Sequence, residues 1–305
     1  MKPEPIIKIQ SLTKRFGEVL ALDGLNLEVK KGDIYGFLGP NGSGKSTTIR
    51  ILTSLVQADN GNVEVFGLPL KTSRKQILSR IGALVERPDF YENLSALKNL
   101  EILAGYSGIH LTKPDFLENL NLVGLKERAS SKVKTFSEGM KQRLGIGQAL
   151  LNKPDLLILD EPFNSLDPQG VKGIRDLIVR LNREQGMTIL LSSHKLDEVE
   201  KYANRMVLIN KGKAVAEGGI QELTGKGLIS LTIESDKADE AFQILGNSGI
   251  EILNLRKEGE FVKLACTRET VPNVNNLLVG NGIKVYRLSS DHLLEDFFLA
   301  FTEQK

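Results

Sequence analysis

Cysteine is nearly absent. Cys266 stands alone among 305 residues, which excludes an intrachain disulfide framework and fits a reducing compartment. It lies in the alternating run Phe261–Cys266, where a buried strand thiol is expected rather than a reactive one. A charge excess is missing too. The net charge of +2 is too small for a polyanion binder, which carries a marked basic excess or patch, so no nucleic-acid partner is expected. The short basic run Lys71–Lys75 is no denser than the solvated face of a helix. Long apolar runs are also lacking: no stretch approaches the roughly 20 residues that span a bilayer. The opening segment Met1-Lys-Pro-Glu-Pro5 has no signal-peptide apolar core. The expectation is a cytosolic chain, any membrane role of which must come through a partner.

What is present falls into two rhythms. Through the first two-thirds, β-branched runs alternate with helical patterns, the sequence form of an α/β sheet. The strand-like runs are Ile6–Leu12, Leu25–Lys30, Asp33–Leu38, Asn62–Phe66, Ile81–Glu86, Leu156–Asp160 and Thr188–Ser192. Leu156–Asp160 and Thr188–Ser192 are almost continuously apolar, as strands covered on both faces are. Met206–Asn210, Lys211-Gly-Lys213 and Ala214–Glu217 read as a closing hairpin. Leucines at 94, 97, 100, 103, 117, 120 and 125 turn the pattern helical between Arg87 and Lys134. This is a mainly helical insertion between two strands, bounded at about residues 87–150.

Gly218-Gly219 and Thr224-Gly-Lys-Gly227 mark a linker, so the domains are set at residues 1–224 and 225–305. In the second domain, strand, helix, strand, strand, helix and strand follow one another. They occupy Leu228–Glu234, Lys237–Leu245, Glu251–Arg256, Glu260–Cys266, Val271–Val279 and Ile283–Leu288. That order is the split-βαβ or ferredoxin-like α+β pattern, a fold too widely used to name a function. An amphipathic stretch, Leu293–Phe301, comes last.

Two constellations carry chemistry. The strand Asp33–Leu38 runs into Gly39-Pro40-Asn41-Gly42-Ser43-Gly44-Lys45-Ser46, with a helical stretch from Thr47. This is G-x-x-x-x-G-K-[ST] in its strand–loop–helix setting, so Gly39–Thr47 is the candidate nucleotide-binding segment. Gly42 and Gly44 let consecutive N–H groups face phosphates, and the helix N-terminus adds its positive end. Lys45 is expected to reach the β- and γ-phosphates, and Ser46 to ligate Mg²⁺. The second constellation is Leu156-Leu-Ile-Leu-Asp160-Glu161-Pro162. An aspartate ending an apolar strand is costly without a cationic or metal-linked partner. Asp160 is therefore assigned to Mg²⁺ through water, and Glu161 to orienting and deprotonating the attacking water.

With Phe136-Ser-Glu-Gly-Met-Lys-Gln-Arg143, Ser165-Leu-Asp167 and Ser192-Ser-His194, these segments resemble the ABC ATPases in content and in order, over about residues 6–220. The resemblance implies a P-loop ABC ATPase domain that binds ATP and Mg²⁺. It implies that Ser137 and Gly139, in a signature segment, contact the ATP bound to a second ATP-binding subunit, identical or homologous. Asp167 belongs to a loop that crosses that dimer interface, and His194 matches the histidine that senses the γ-phosphate. Phe16, in Lys14-Arg-Phe-Gly17, matches the aromatic that stacks on adenine, with a core phenylalanine as the rival reading.

Two departures stand out. The signature has Phe136, Glu138 and Met140 where the family has Leu, Gly and Gln. Glu86 ends Ile81-Gly-Ala-Leu-Val-Glu86 where most members have glutamine. It can still ligate Mg²⁺ or its water, and with Arg87–Ser95 it resembles the bacitracin and lantibiotic self-protection exporters. Drift in a generic drug or lipid exporter is the rival account. The resulting expectation is the motor subunit of an exporter with separate integral membrane permease subunits, held by them on the inner face of the membrane. A non-transport ABC ATPase of translation or DNA-clamp type, or an importer ATPase with a regulatory tail, are the alternatives. One P-loop and no sustained heptads count against the first.

Overall fold

Alternating apolar residues open the chain as a long hairpin, β1 (Pro5–Phe16) with β2 (Val19–Lys30). Phe16 pairs with Val19 across a two-residue turn, and Gly17 has φ 55°, as the first position of a type II′ turn requires. The computed structural model describes residues 5–223 and 228–292. Next come β3 (Ile34–Leu38), α1 (Lys45–Leu52), β4 (Asn60–Val65), β5 (Leu68–Pro69), α2 (Leu70–Leu78) and β6 (Ile81–Leu84). The basic run 71–75 lies on α2, whose Lys71, Arg74 and Lys75 are exposed.

The insertion between β6 and β7 is helical: α3 (Ala96–Tyr106), α4 (Lys113–Leu122) and α5 (Glu138–Ala149). Ser95 caps α3 by accepting from the Lys98 N–H, and Thr112 with Asp115 forms a capping box on α4. Buried Asn99 shapes the turn ahead of α3. It donates to the carbonyls of Tyr91 (3.1 Å) and Ser95 (2.9 Å) and accepts from the Tyr91 N–H (2.8 Å). Then follow β7 (Leu156–Leu159), α6 (Pro168–Gln185), β8 (Thr188–Ser193), α7 (Leu196–Val199), β9 (Arg205–Asn210), β10 (Lys213–Gly219) and α8 (Ile220–Leu223).

The strands form two sheets rather than the single one read from the sequence. One has the order β2-β1-β4-β5, with antiparallel pairing throughout; the other runs β10-β9-β3-β8-β7-β6. From β9 to β6 the second is parallel. The physical difference lies in burial. Every residue of β3, β7 and β8 is buried, because helices and the first sheet cover both faces. In β1 and β4 buried and exposed residues mix. Tyr35, Phe37, Ile49, Ile158 and Leu190 share one core with Ile7, Leu12, Leu25 and Val65 from the antiparallel layer.

Two compact units divide the chain at Met1–Glu217 and Gly218–Lys305. Gly218 and Gly219, read as linker, end β10, and the Gly219 N–H donates to Glu222 at 2.9 Å. Thr224–Gly227 and Leu293–Phe301 lie outside the described residues. The second unit contains β11 (Leu228–Ser235), α9 (Ala238–Gly246), β12 (Leu253–Glu258), β13 (Phe261–Thr267), α10 (Val271–Gly280) and β14 (Val285–His292). Its strands lie in the order β12-β13-β11-β14, every neighbour antiparallel. Leu231, Ile233, Val262, Leu264, Cys266, Val274 and Leu278 build its core. Burial raises the pKa of the Cys266 thiol, which leaves it an inert packing residue.

Candidate functional site

The loop after β3 has glycine where nothing larger fits. A Cβ on Gly39 would lie 2.4 Å from the Ile209 carbonyl and 2.6 Å from the Ser43 hydroxyl. Gly44 caps α1 at φ 110°, and a Cβ there would meet the Ala21 carbonyl at 2.7 Å. The turn between β9 and β10 braces this loop from outside. The Gly212 N–H donates to the Ser43 carbonyl at 2.9 Å, and the Asp23 N–H to that of Gly212 at 3.0 Å. Gly212 was read only as a hairpin residue; its supporting role depends on a contact 169 positions away in sequence, which no local pattern signals.

Lys45 opens α1 with 5% exposure. Its ammonium donates to the carbonyls of Gly39 (2.7 Å) and Pro40 (3.2 Å) and lies 3.2 Å from Glu161 Oε1. A buried ammonium needs such partners. Ser46 and Thr47 are half-buried on the same first turn, and Pro40, Asn41 and Gly42 form the open side of the loop. The Ser43 hydroxyl is buried with no hydrogen-bond partner among the described residues.

The acidic pair follows β7. Asp160 is 7% exposed and accepts a 2.6 Å hydrogen bond from Ser192 Oγ. Glu161 has φ 47°, a left-handed backbone unusual for a residue with a side chain. Its second carboxylate oxygen lies 2.9 Å from His194 Nδ1. Lys45, Asp160, Glu161 and His194, named from three separate sequence segments, thus meet at the ends of β3, β7 and β8, with Ser192 between the last two strands. Crevices at the carboxyl ends of parallel strands are where such folds bind ligands.

The other candidates bond locally. Ser137 is the exposed N-cap of α5 and accepts from the Met140 N–H at 3.3 Å. A Cβ on Gly139 would stand 3.3 Å from Gly170 Cα, so the start of α5 packs on the start of α6. Asp167 caps α6 through the Gly170 N–H at 2.7 Å. Among the described residues, none of Ser137, Gly139 and Asp167 hydrogen-bonds to Lys45, Asp160, Glu161 or His194. Phe136 is 6% exposed, with the Arg128 guanidinium 5.7 Å from its ring centre. The aromatic departure in the signature is thereby absorbed by packing.

Two readings need revision. Phe16 is 46% exposed, which removes the core alternative; Lys14 Nζ lies 5.2 Å from its ring centre. The strand read as Ile81–Glu86 stops at Leu84. Glu86 stands beyond it at φ 67°, exposed, with its carboxylate paired to Arg50 of α1. Arg87 donates to the Ser165 hydroxyl at 2.6 Å, linking the segment after β6 to the loop that carries Asp167.

Comparison with known proteins gives the same picture. The sequence model of the ABC transporter family matches residues 22–164. The bacitracin transport ATP-binding protein BcrA of Bacillus licheniformis is 42% identical over 296 residues, 96% of each chain. The lantibiotic transport ATP-binding protein SrtF of Streptococcus pyogenes is 43% identical over 212 residues, 70% of this chain and 90% of its own. Among solved structures, the dimeric post-hydrolysis state of the ATP-binding cassette MJ0796 with ADP and Pi superposes with a TM-score of 0.62. It is 27% identical, over 70% of this chain and 98% of that one. A relative this similar along nearly its whole length settles the family: the chain belongs to the ATP-binding subunits of ABC transporters, ATPases that couple hydrolysis to transport.

Proposed function

We propose that this subunit drives export through separate integral membrane permease subunits, as half of a dimer that sandwiches ATP between facing cassettes. The observation that supports the dimer is that Ser137, exposed at the start of α5, makes no hydrogen bond to the Lys45 cluster among the described residues. A signature so placed serves the nucleotide of a second ATP-binding subunit, identical or homologous. Export, and a peptide-antibiotic type of cargo, rest on the likeness to the bacitracin and lantibiotic transport proteins. The permease holds the chain on the inner face of the membrane; among the described residues no helix is long and apolar enough to cross it. We assign the second unit to the ferredoxin-like class on its strand order and all-antiparallel pairing.

The residues fit a Mg²⁺-nucleotide. The unpartnered Ser43 hydroxyl and the buried Lys45 ammonium face an anion's needs. Ser46 and Asp160 would hold Mg²⁺, with Glu86 as a third oxygen donor; the ion supplies charge neutralisation between the phosphates. Phe16, exposed at the end of β1, offers a flat face to adenine. Lys45 trades its loop carbonyls and Glu161 for phosphate oxygens. That frees Glu161 Oε1 to accept the proton of the attacking water, while His194 steadies Oε2.

A mixing experiment tests the shared site. A Ser137→Arg subunit keeps its P-loop, and a Lys45→Ala subunit keeps its signature. Together they assemble a dimer with one intact site and one doubly broken site. ATP-dependent pairing is expected in the mixture and in neither variant alone; no rescue at any ratio of folded proteins rejects the sandwich.

A further inference from the structure

We infer that Ser192 is a positioning residue for hydrolysis, setting both acidic residues through one hydroxyl. The inference rests on the reading of Asp160 as the metal-side carboxylate and Glu161 as the base. Ser192 is fully buried and stands on β8 one position past the last register pair with β7, Leu159 with Leu191. There the ladder stops and the hydroxyl takes over. Its Oγ lies 2.8 Å from the Glu161 backbone nitrogen and 2.6 Å from Asp160 Oδ1.

The direction of both bonds is forced. A backbone N–H only donates, so the hydroxyl accepts from Glu161, and its single proton goes to the Asp160 carboxylate. One aspartate oxygen is thus tied to the protein, which fixes the rotation of the carboxylate. The same atom holds Glu161 in its left-handed backbone at φ 47°, the conformation from which its side chain reaches Lys45 and His194. The neighbouring Ser193 plays no such part: its hydroxyl bonds within its own turn, to the backbone of Lys195.

Removing the hydroxyl leaves the part-buried Glu161 N–H without this acceptor and the Asp160 carboxylate without its tie. Ser192→Ala is therefore expected to lower kcat by about tenfold or more, the scale of one lost charge-assisted hydrogen bond. KM for ATP should stay within about threefold, because the loop and the Lys45 bonds to the Gly39 and Pro40 carbonyls do not involve Ser192. A second reading is the Mg²⁺ concentration at which ATP raises the melting temperature, followed without turnover in a Glu161→Gln background. It should rise about fivefold or more with Ser192→Ala, while metal-free ATP binding is unchanged and reports that the protein is folded. Ser192→Cys, nearly the same size but a weaker donor, is measured beside it and should shift both quantities in the same direction. Either folded variant with kcat and Mg²⁺ midpoint within twofold of the parent overturns the inference. Asp160→Asn separates the two levels. If it leaves the Mg²⁺ midpoint unmoved, the metal assignment itself is wrong; if it moves the midpoint and the Ser192 variants do not, Ser192 alone is misread.

Discussion

Glu161 holds two partners at once, Lys45 on one oxygen and His194 on the other, and this defines what its replacement does. Glu161→Gln keeps the shape but removes the carboxylate proposed as the base. Hydrolysis should fall by roughly 10²-fold or more, while ATP still raises the melting temperature. Parent-like turnover rejects the assignment. Lys45→Ala should abolish that ATP-dependent rise itself, since the phosphate cation is gone. Glu86 calls for a separate measurement. Its pair with Arg50 is solvent-exposed, so Glu86→Gln should change stability by less than about 1 kcal/mol. The Mg²⁺ dependence of hydrolysis should weaken nevertheless if the carboxylate turns to the metal. An identical dependence leaves Glu86 as the partner of Arg50 alone. Lys45 and Glu161 could be proposed from the sequence because each sits in a motif of recognisable order. The Arg50 pair could not, for it joins α1 to the segment after β6 and leaves no local trace.

Among the elements, the turn before α3 depends on one side chain. Asn99→Ala removes three hydrogen bonds and leaves the Tyr91 N–H without this acceptor, while the Tyr91 and Ser95 carbonyls keep the Leu94 and Asn99 backbone donors. A loss of about 2–3 kcal/mol is expected, read as a lower midpoint in urea with unchanged slope. A midpoint equal to the parent's means the turn is held by other contacts. Helices of the insertion were readable from leucine spacing; their caps, Ser95 and Thr112, emerged only with the structure. The separation of β1, β2, β4 and β5 into their own sheet was not readable either. Strand propensity identifies extended segments, but pairing partners are set by contacts distant in sequence. Continuous burial of β3, β7 and β8 was anticipated only for the last two, whose runs are almost wholly apolar.

At the scale of the molecule, the proposed function makes one chain an incomplete site: a P-loop with its acids, and an exposed signature serine assigned to a second subunit. In the Glu161→Gln variant, where hydrolysis is expected to be slow, the closed pair should accumulate. The variant is expected to elute from a sizing column as a dimer with ATP and as a monomer without it. Elution unchanged by ATP, in a protein that binds it, argues against closure between two copies of this chain and points to a different second ATP-binding subunit.

The chemistry proposed for this chain was legible from its residues alone. Phosphate cradling, metal ligation and proton abstraction each demand particular residue types at fixed local spacing, and Gly39–Thr47 and Asp160-Glu161 are the single segments proposed for them. The sequence by itself determined the two-part organisation, through the change of rhythm after the first two-thirds. Only the tertiary structure decided which strands share a sheet, that Gly212 braces the P-loop, that Phe16 is exposed, and that Ser192 joins Asp160 to Glu161. The physical reason is common to all four. Each depends on atoms brought together by packing from distant parts of the chain, and the cooperative burial of the sheets, rather than any local preference, sets those distances.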